Sequence, residues 1–208
     1  MNRCLIITSR VDGLEMLDIN GNDYDCIICA DAGYIISSKL NLEPDILIGD
    51  YDSMPQPENK EVIKLPIEKD MTDSEAAIDL AVSKGFTDIT VLGGLGGRFD
   101  HSMGNVGMLA KYCGKLDRLS FVDGQNYMFM VGPCSLTLRK NNYRFLGIIA
   151  YDGPAKGVTL KGVKFPLYKH LLTADTTLGV SNEIVDDTAE ISFEEGKLLI
   201  IRSRDVDK

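Results

Sequence analysis

The pattern of apolar residues changes once along this chain, and that change limits the folds open to it. Up to about residue 124, short apolar runs alternate with segments of helical spacing. RCLIIT, DCIICAD, DILIGD, EVIKLP, DITVLGG and RLSFVD are brief, apolar and bounded by turn or charged residues. AGYIISSKLN, TDSEAAIDLAVSKG and a segment from about His101 to Cys113 carry helical periodicity between them. Such alternation predicts an α/β domain, a mainly parallel sheet flanked by helices. Thr72 and Glu75 have capping-box spacing at the second helix, and Gly85 stands just past its end.

Beyond Gly124 the helical spacing disappears. MFMVG, CSLTLRK, YRFLGIIAYD, GVTLKGVKFPL, AEISFEEG and KLLIIRSR are strand-like runs separated by Gly, Asn-Asn or Pro. They predict a C-terminal antiparallel β-sandwich, so the expected domains are 1–124 and 125–208.

The 208 residues suffice for a core that needs no staples. A net charge of −9 without a local Lys/Arg cluster argues against a nucleic-acid partner. No apolar run approaches the ~18 residues that span a bilayer, which argues against a membrane partner. MNRCLIITSR reads as a first strand rather than a signal peptide, so a cytoplasmic location is expected. The five cysteines form no framework. Cys26 and Cys29 sit inside a predicted strand, where i and i+3 point to opposite faces and cannot share a metal. His101 and His170 are too few and too scattered for a zinc site.

The chemistry-bearing residues cluster where predicted strands end. Ligands of open α/β sheets bind beyond the carboxyl ends of strands, and Asp31, Asp50, Asp73 and Asp100 all follow or closely trail such ends. Carboxylates gathered at one sheet edge repel unless a divalent cation neutralises them. Asp50 and Asp52 in GDYDSM are two apart, so on extended chain they face one side, ~7 Å from each other. That suits two ligands of one metal, or a ligand and a base; ordinary turn acids are the other reading. In GGLGGRFDH, Gly93, Gly94, Gly96 and Gly97 lie between a strand and a helix, so backbone amides can approach a phosphate. Arg98 adds a planar donor fork. Thr72 can cap its helix and still touch an anion. Two readings stand for several residues. Lys69 is solvated or a phosphate contact, His101 meets a nucleotide or merely starts a helix, and Asp31 with Gly33 holds a ligand or forms a plain turn.

Taken together, GDYDS at 49–53, EKDMTD at 68–73, GGRFDH at 96–101, CADAG at 29–33 and GVSNE at 179–183 resemble the thiamine pyrophosphokinases in their bacterial form. The resemblance implies an α/β catalytic domain and a C-terminal β-sandwich, assembled as a homodimer. It also implies transfer of the terminal pyrophosphate of ATP to the hydroxyl of thiamine, leaving AMP. It assigns Asp50, Asp52, Asp73 and Asp100 to a Mg2+ and catalytic acid cluster, with Asp50 also near the thiamine cation. Thr72, Arg98 and Lys69 would meet the nucleotide phosphates, while Asp31, Gly33, Gly96, Gly97 and His101 would help hold ATP. Ser181 and Asn182 would reach thiamine from the β domain, across the dimer interface. Animal members carry a tryptophan near the Ser-Asn pair, and this chain has none. Two alternatives are a pyrophosphokinase for another small alcohol, such as a hydroxymethylpterin, and a non-catalytic metal- or nucleotide-binding module.

Overall fold

A computed structural model describes residues 2–49, 61–66 and 70–206. They group into two compact units, Met1–Lys111 with Leu116–Gly124, and Tyr112–Lys115 with Gln125–Lys208.

The first unit contains strands β1 (Arg3–Ile7), β2 (Cys26–Ala30), β3 (Ile46–Gly49), β4 (Glu61–Lys64), β5 (Asp88–Leu92) and β6 (Arg118–Val122). Its helices are α1 (Gly33–Lys39), α2 (Asp73–Ser83) and α3 (Phe99–Tyr112). The strands are parallel in the order β6-β5-β1-β2-β3-β4. β2 and β3 are buried along their whole length, as continuous apolar runs in a parallel sheet must be when helices cover both faces. Cys26 and Cys29 are two of these buried residues. α2 buries Ala76, Ala77, Ile78 and Ala81, and its three alanines let the helix sit close to its neighbours.

Both ends of α2 follow from its sequence. Thr72 Oγ1 accepts the Glu75 N–H at 3.2 Å. At the other end, Phe86 N–H reaches Ala81 O and Gly85 N–H reaches Val82 O, a Schellman closure with Gly85 at φ 90°. α3 begins at Phe99, two residues before the expected His101, because the Arg98 carbonyl already accepts the Ser102 N–H. Two short 3-10 turns, Leu14–Met16 and Gly21–Asp23, occupy a stretch where the sequence carries no periodic signal.

Strand order has a consequence for ligands. The chain steps from β1 outward through β2, β3 and β4, then returns to place β5 on the other side of β1. The order therefore reverses between β1 and β5, and the crevice beyond the carboxyl ends at such a switch point is the usual ligand site of an open α/β sheet.

The second unit is a sandwich of two antiparallel sheets. One contains β7 (Asn126–Val131), β14 (Leu198–Ser203), β9 (Phe145–Ala150) and the two-residue β12 (Asn182–Glu183). The other contains β8 (Ser135–Arg139), β13 (Thr188–Ser192), β10 (Ala155–Lys161) and β11 (Leu167–Leu172). Alternate residues such as Leu146, Ile148 and Ile200 meet Val158, Leu160 and Ile191 in one core. GVTLKGVKFPL, read as one run in the sequence, is split: β10 ends at Lys161, and β11 starts beyond Pro166. β11 escaped notice because Tyr168, Lys169, His170 and Leu171 are all exposed, so this edge strand has no alternation to read.

Candidate active site

The switch point is built from the loops that follow β1 and β5. Thr8 N–H donates to Leu92 O at 3.0 Å, and Thr8 Oγ1 also donates to the carbonyls of Leu92 and Arg10 at 3.0 and 3.1 Å. The buried hydroxyl thus ties the end of one strand to the end of the other. On the far side, the buried Asn105 of α3 donates Nδ2 to Gly94 O at 2.7 Å, fixing the glycine turn from beneath the helix.

This packing gives the glycines a reason the sequence did not. A Cβ at Gly96 would stand 1.8 Å from Asp12 Oδ2, and one at Gly93 would stand 2.1 Å from Arg10 O. The turn is moulded around the 8–12 segment, as well as leaving its own backbone open. Gly33 is constrained likewise, since its Cβ would lie 2.0 Å from Ile7 O. That close approach seats α1 against the end of β1.

Two clefts open at this edge. One, of about 230 Å³, is lined by Thr72, Glu75, Asp100, His101, Gly104, Asn105 and Met108. The other, of about 250 Å³, is lined by residues that include Ser9, Arg10, Ser74, Gly96, Gly97 and Arg98. His101 and Asn105 line both, so the clefts share a wall.

Of the residues singled out in the sequence, these clefts gather Thr72, Gly96, Gly97, Arg98, Asp100 and His101. Asp73 is the first residue of α2, between Thr72 and Ser74, which line one cleft each. Asp31 and Gly33 lie at the same sheet edge but belong to neither lining. Asp31 directly follows β2 at φ 51°, a left-handed conformation that Asp tolerates better than most residues and that concentrates at functional positions. Asp50, Asp52 and Lys69 lie outside the described residues.

The electrostatics are set by an exposed pair. Arg98 donates Nη2 to Asp100 Oδ2 at 2.5 Å and Nε to Oδ1 at 3.2 Å, with the two side chains 74% and 63% exposed. The guanidinium holds the Asp100 carboxyl below its usual range, helped by the His101 N–H at 2.9 Å. Exposed pairs of this kind are weak on balance, so each partner can exchange the other for a ligand at little cost. Also near the surface, Lys111 of α3 donates to Glu75 Oε1 at 3.0 Å and Asp79 Oδ1 at 3.2 Å. This brace joins α2 to α3 and takes up the Glu75 carboxylate that the capping box would have turned back on Thr72.

Among the described residues, no group of three or more His, Cys, Asp or Glu side chains is placed to hold a metal ion. The oxygen donors at the clefts include the hydroxyl of Thr72 and the carboxylates of Glu75 and Asp100, with Asp73 beside them, while His101 and Met108 line the same space. The carboxylates fit a hard cation such as magnesium.

In the second unit, Ser181 is exposed at φ 58° directly before the buried Asn182. The Asn182 carboxamide, 4% exposed, is committed to backbone. Its Oδ1 accepts from Phe165 N at 3.0 Å and Glu183 N at 2.9 Å, and its Nδ2 donates to Phe165 O at 2.8 Å. Asn182 thereby grips Phe165, whose ring is exposed at 59%. Sequence reading missed Phe165, although an aromatic next to Pro166 in a β-rich segment was a visible signal. It also missed Thr8, Ser9, Arg10 and Asn105. The rule that ligands gather at strand ends, applied to β1, would have found the first three.

Comparison with known proteins agrees with this geometry. A family model described as thiamin pyrophosphokinase, catalytic domain, matches residues 20–120. Another, described as thiamin pyrophosphokinase, vitamin B1 binding domain, matches residues 134–198. Thiamine pyrophosphokinase of Bacillus subtilis (strain 168) is 31% identical over 198 residues, covering 90% of this chain and 92% of that one. The crystal structure of thiamin pyrophosphokinase from Geobacillus thermodenitrificans superposes with a TM-score of 0.84 at 30% identity, covering 99% of each chain. A thiamin pyrophosphokinase family protein from Enterococcus faecalis gives 0.88 at 25% identity, covering 98% of this chain and 100% of that one.

Proposed function

We infer how this site works from one premise: the chain belongs to the thiamine pyrophosphokinase family, enzymes that transfer pyrophosphate from ATP to thiamine. The observation that carries the assignment of roles is the Arg98–Asp100 pair at the start of α3: Asp100 lines the cleft that Thr72 lines, and Arg98 lines the adjoining one with the glycine turn. When ATP arrives, Arg98 turns its donor fork from Asp100 to phosphate oxygens, and the glycine-turn amides with the N-terminal amides of α2 and α3 take further oxygens. Thr72 holds the phosphate chain from the α2 side, and Lys69 adds a cationic contact. Asp31, Gly33 and His101 border the nucleotide.

Asp73 and Asp100, with Asp50 and Asp52, would hold Mg2+, whose positive charge would neutralise the phosphates and the carboxylates alike. Without a cation the acids and ATP repel: one like-charge pair at 4 Å costs ~4 kcal/mol at an effective dielectric near 20. The hydroxyl oxygen of thiamine attacks the β-phosphorus in line, the bond from that phosphorus to the α-phosphate oxygen breaks, and AMP departs. Asp52 or Asp73 orients the hydroxyl and accepts its proton. In a loose transition state that proton moves late, and positioning outweighs basicity.

Thiamine is bound by the second unit, with Ser181 at the surface that takes it. Phe165 covers the rings that a tryptophan covers in animal members. An exposed aromatic face suits a thiazolium cation, and the Asn182 grip on the Phe165 backbone holds that face in place. The protein acts as a cytoplasmic homodimer in this reading. Among the described residues, no helix is long and apolar enough to cross a membrane. The exposed Tyr168 and Leu171 on edge strand β11 supply apolar surface for association.

The test is incubation with ATP, Mg2+ and thiamine. AMP and thiamine diphosphate appearing in equal amounts support the reading; ADP with thiamine monophosphate would overturn it.

A further inference from the structure

We propose that Arg10 is a second phosphate-binding guanidinium, facing Arg98 across the glycine turn and positioning the polyphosphate of ATP. This rests on the reading of the glycine turn as the phosphate site. The first observation is topological. β1 and β5 flank the reversal of strand order, so the loops that leave them form the two sides of one crevice. Arg98 comes from the β5 side, and Arg10 is the third residue beyond β1.

The second observation is the cleft itself. Arg10, Gly96, Gly97 and Arg98 line the same space of about 250 Å³. A Cβ on Gly97 would stand 3.1 Å from Arg10 Nη1, so the guanidinium lies against the turn's bare face.

The third observation is that Arg10 repeats the arrangement of Arg98. Its Nε donates to Asp12 Oδ1 at 2.9 Å and its Nη2 to Oδ2 at 3.3 Å, within an Arg-x-Asp run matching Arg98-x-Asp100. At 63% exposure the Arg10 side chain is solvated, so exchange of the Asp12 carboxylate for a phosphate swaps one bidentate partner for another. Two forks on opposite sides of a turn rich in free amides fix a polyphosphate at several oxygens, and a single point charge would not. The other reading of the pair is a brace for the 8–12 loop, and it makes opposite predictions.

The experiment measures equilibrium binding of inorganic tripolyphosphate and of ATP, with Mg2+, to the full chain and to Arg10→Ala, Arg10→Lys, Asp12→Ala and Arg98→Ala. KM for ATP and for thiamine is measured on the same proteins. Arg10→Ala is expected to weaken tripolyphosphate and to raise KM for ATP about tenfold or more, the scale of a charge-assisted hydrogen bond, with KM for thiamine unchanged. Arg10→Lys recovers part of the loss. Asp12→Ala removes the competing carboxylate and binds tripolyphosphate as tightly as the parent or more tightly. Equal losses in Arg10→Ala and Asp12→Ala would show a loop brace and overturn the proposal. So would unchanged tripolyphosphate binding in Arg10→Ala. If Arg98→Ala alone weakens binding, only the Arg10 role falls; if neither arginine matters, the phosphate site itself has been misplaced.

Discussion

Arginine serves opposite ends in the two units. Arg98 is largely exposed and bonded to an aspartate two residues away. Arg202 of β14 is buried at 3% exposure and donates to Arg139 O, Asn141 Oδ1 and Tyr143 O at 3.1, 2.9 and 2.7 Å. Burial also pushes the Arg202 pKa down from its ordinary value. The first pair is local and wet, so it can be traded for a ligand. The second set is distant in sequence and built on a buried guanidinium, so it joins separate segments of the fold and cannot be traded for a ligand without loosening them. Asn182 belongs with Arg202: buried, and spent on backbone. Exposure and partner identity, more than residue type, separate the polar groups available to a substrate from those that hold the fold.

The comparison can be broken most sharply at the acids. Asp73→Asn and Asp100→Asn should each lower turnover about a hundredfold or more while leaving the thermal melting temperature in place. Chelation of divalent cations should abolish turnover without unfolding the chain, as circular dichroism would register. Near-normal turnover in either variant would remove that acid from the mechanism.

Arg202→Met should show the reverse. Losing a buried charged donor to three acceptors is expected to destabilise by about 2–4 kcal/mol in urea titration, with the KM for ATP of the folded fraction unchanged. Asn182→Ala should destabilise by about 1–3 kcal/mol by leaving the Phe165 N–H and carbonyl without the carboxamide. Phe165→Ala, its exposed partner, should instead raise KM for thiamine about tenfold with no change in melting. If Phe165→Ala lowers melting and spares KM, the ring is packing rather than a platform.

The smallest effect is in titration. Arg98 depresses the Asp100 pKa, and Lys164, then Arg144, depress that of Glu183. A folded pKa below the unfolded value means each contribution is complete above the unfolded value, ~3.9 for Asp and ~4.3 for Glu, and is lost as pH falls through the folded one. Carboxyl carbon NMR should find both groups ionised below those values. Arg98→Ala should return Asp100 toward the ordinary range and leave Glu183 where it was.

All six strands of the first unit and its three helices were legible in the sequence, because each is a local pattern: an apolar run for a strand buried on both faces, helical spacing with a Thr72 cap and a Gly85 stop for α2. The sandwich was legible wherever one strand face is buried and one wet. It was lost at β11, where exposure on both faces erases the alternation. The residues at the clefts were legible where they cluster in sequence, as in GGRFDH, and illegible where they meet only in space.

What the chain alone determined, then, is which segments become strands and helices and which acids follow strand ends, since short-range periodicity and capping encode these directly. Tertiary structure decided which strand ends become neighbours. Nothing local in TSRVDG says that β1 will lie beside β5, whose end is 84 residues further along at the Thr8–Leu92 bond. That pairing, set by strand order and by close contacts no side chain could share, brings Arg10 and Asp12 against the glycine turn. The same physics commits Asn182 to Phe165: burial favours a partner for each polar group, and only the folded chain shows which one it takes.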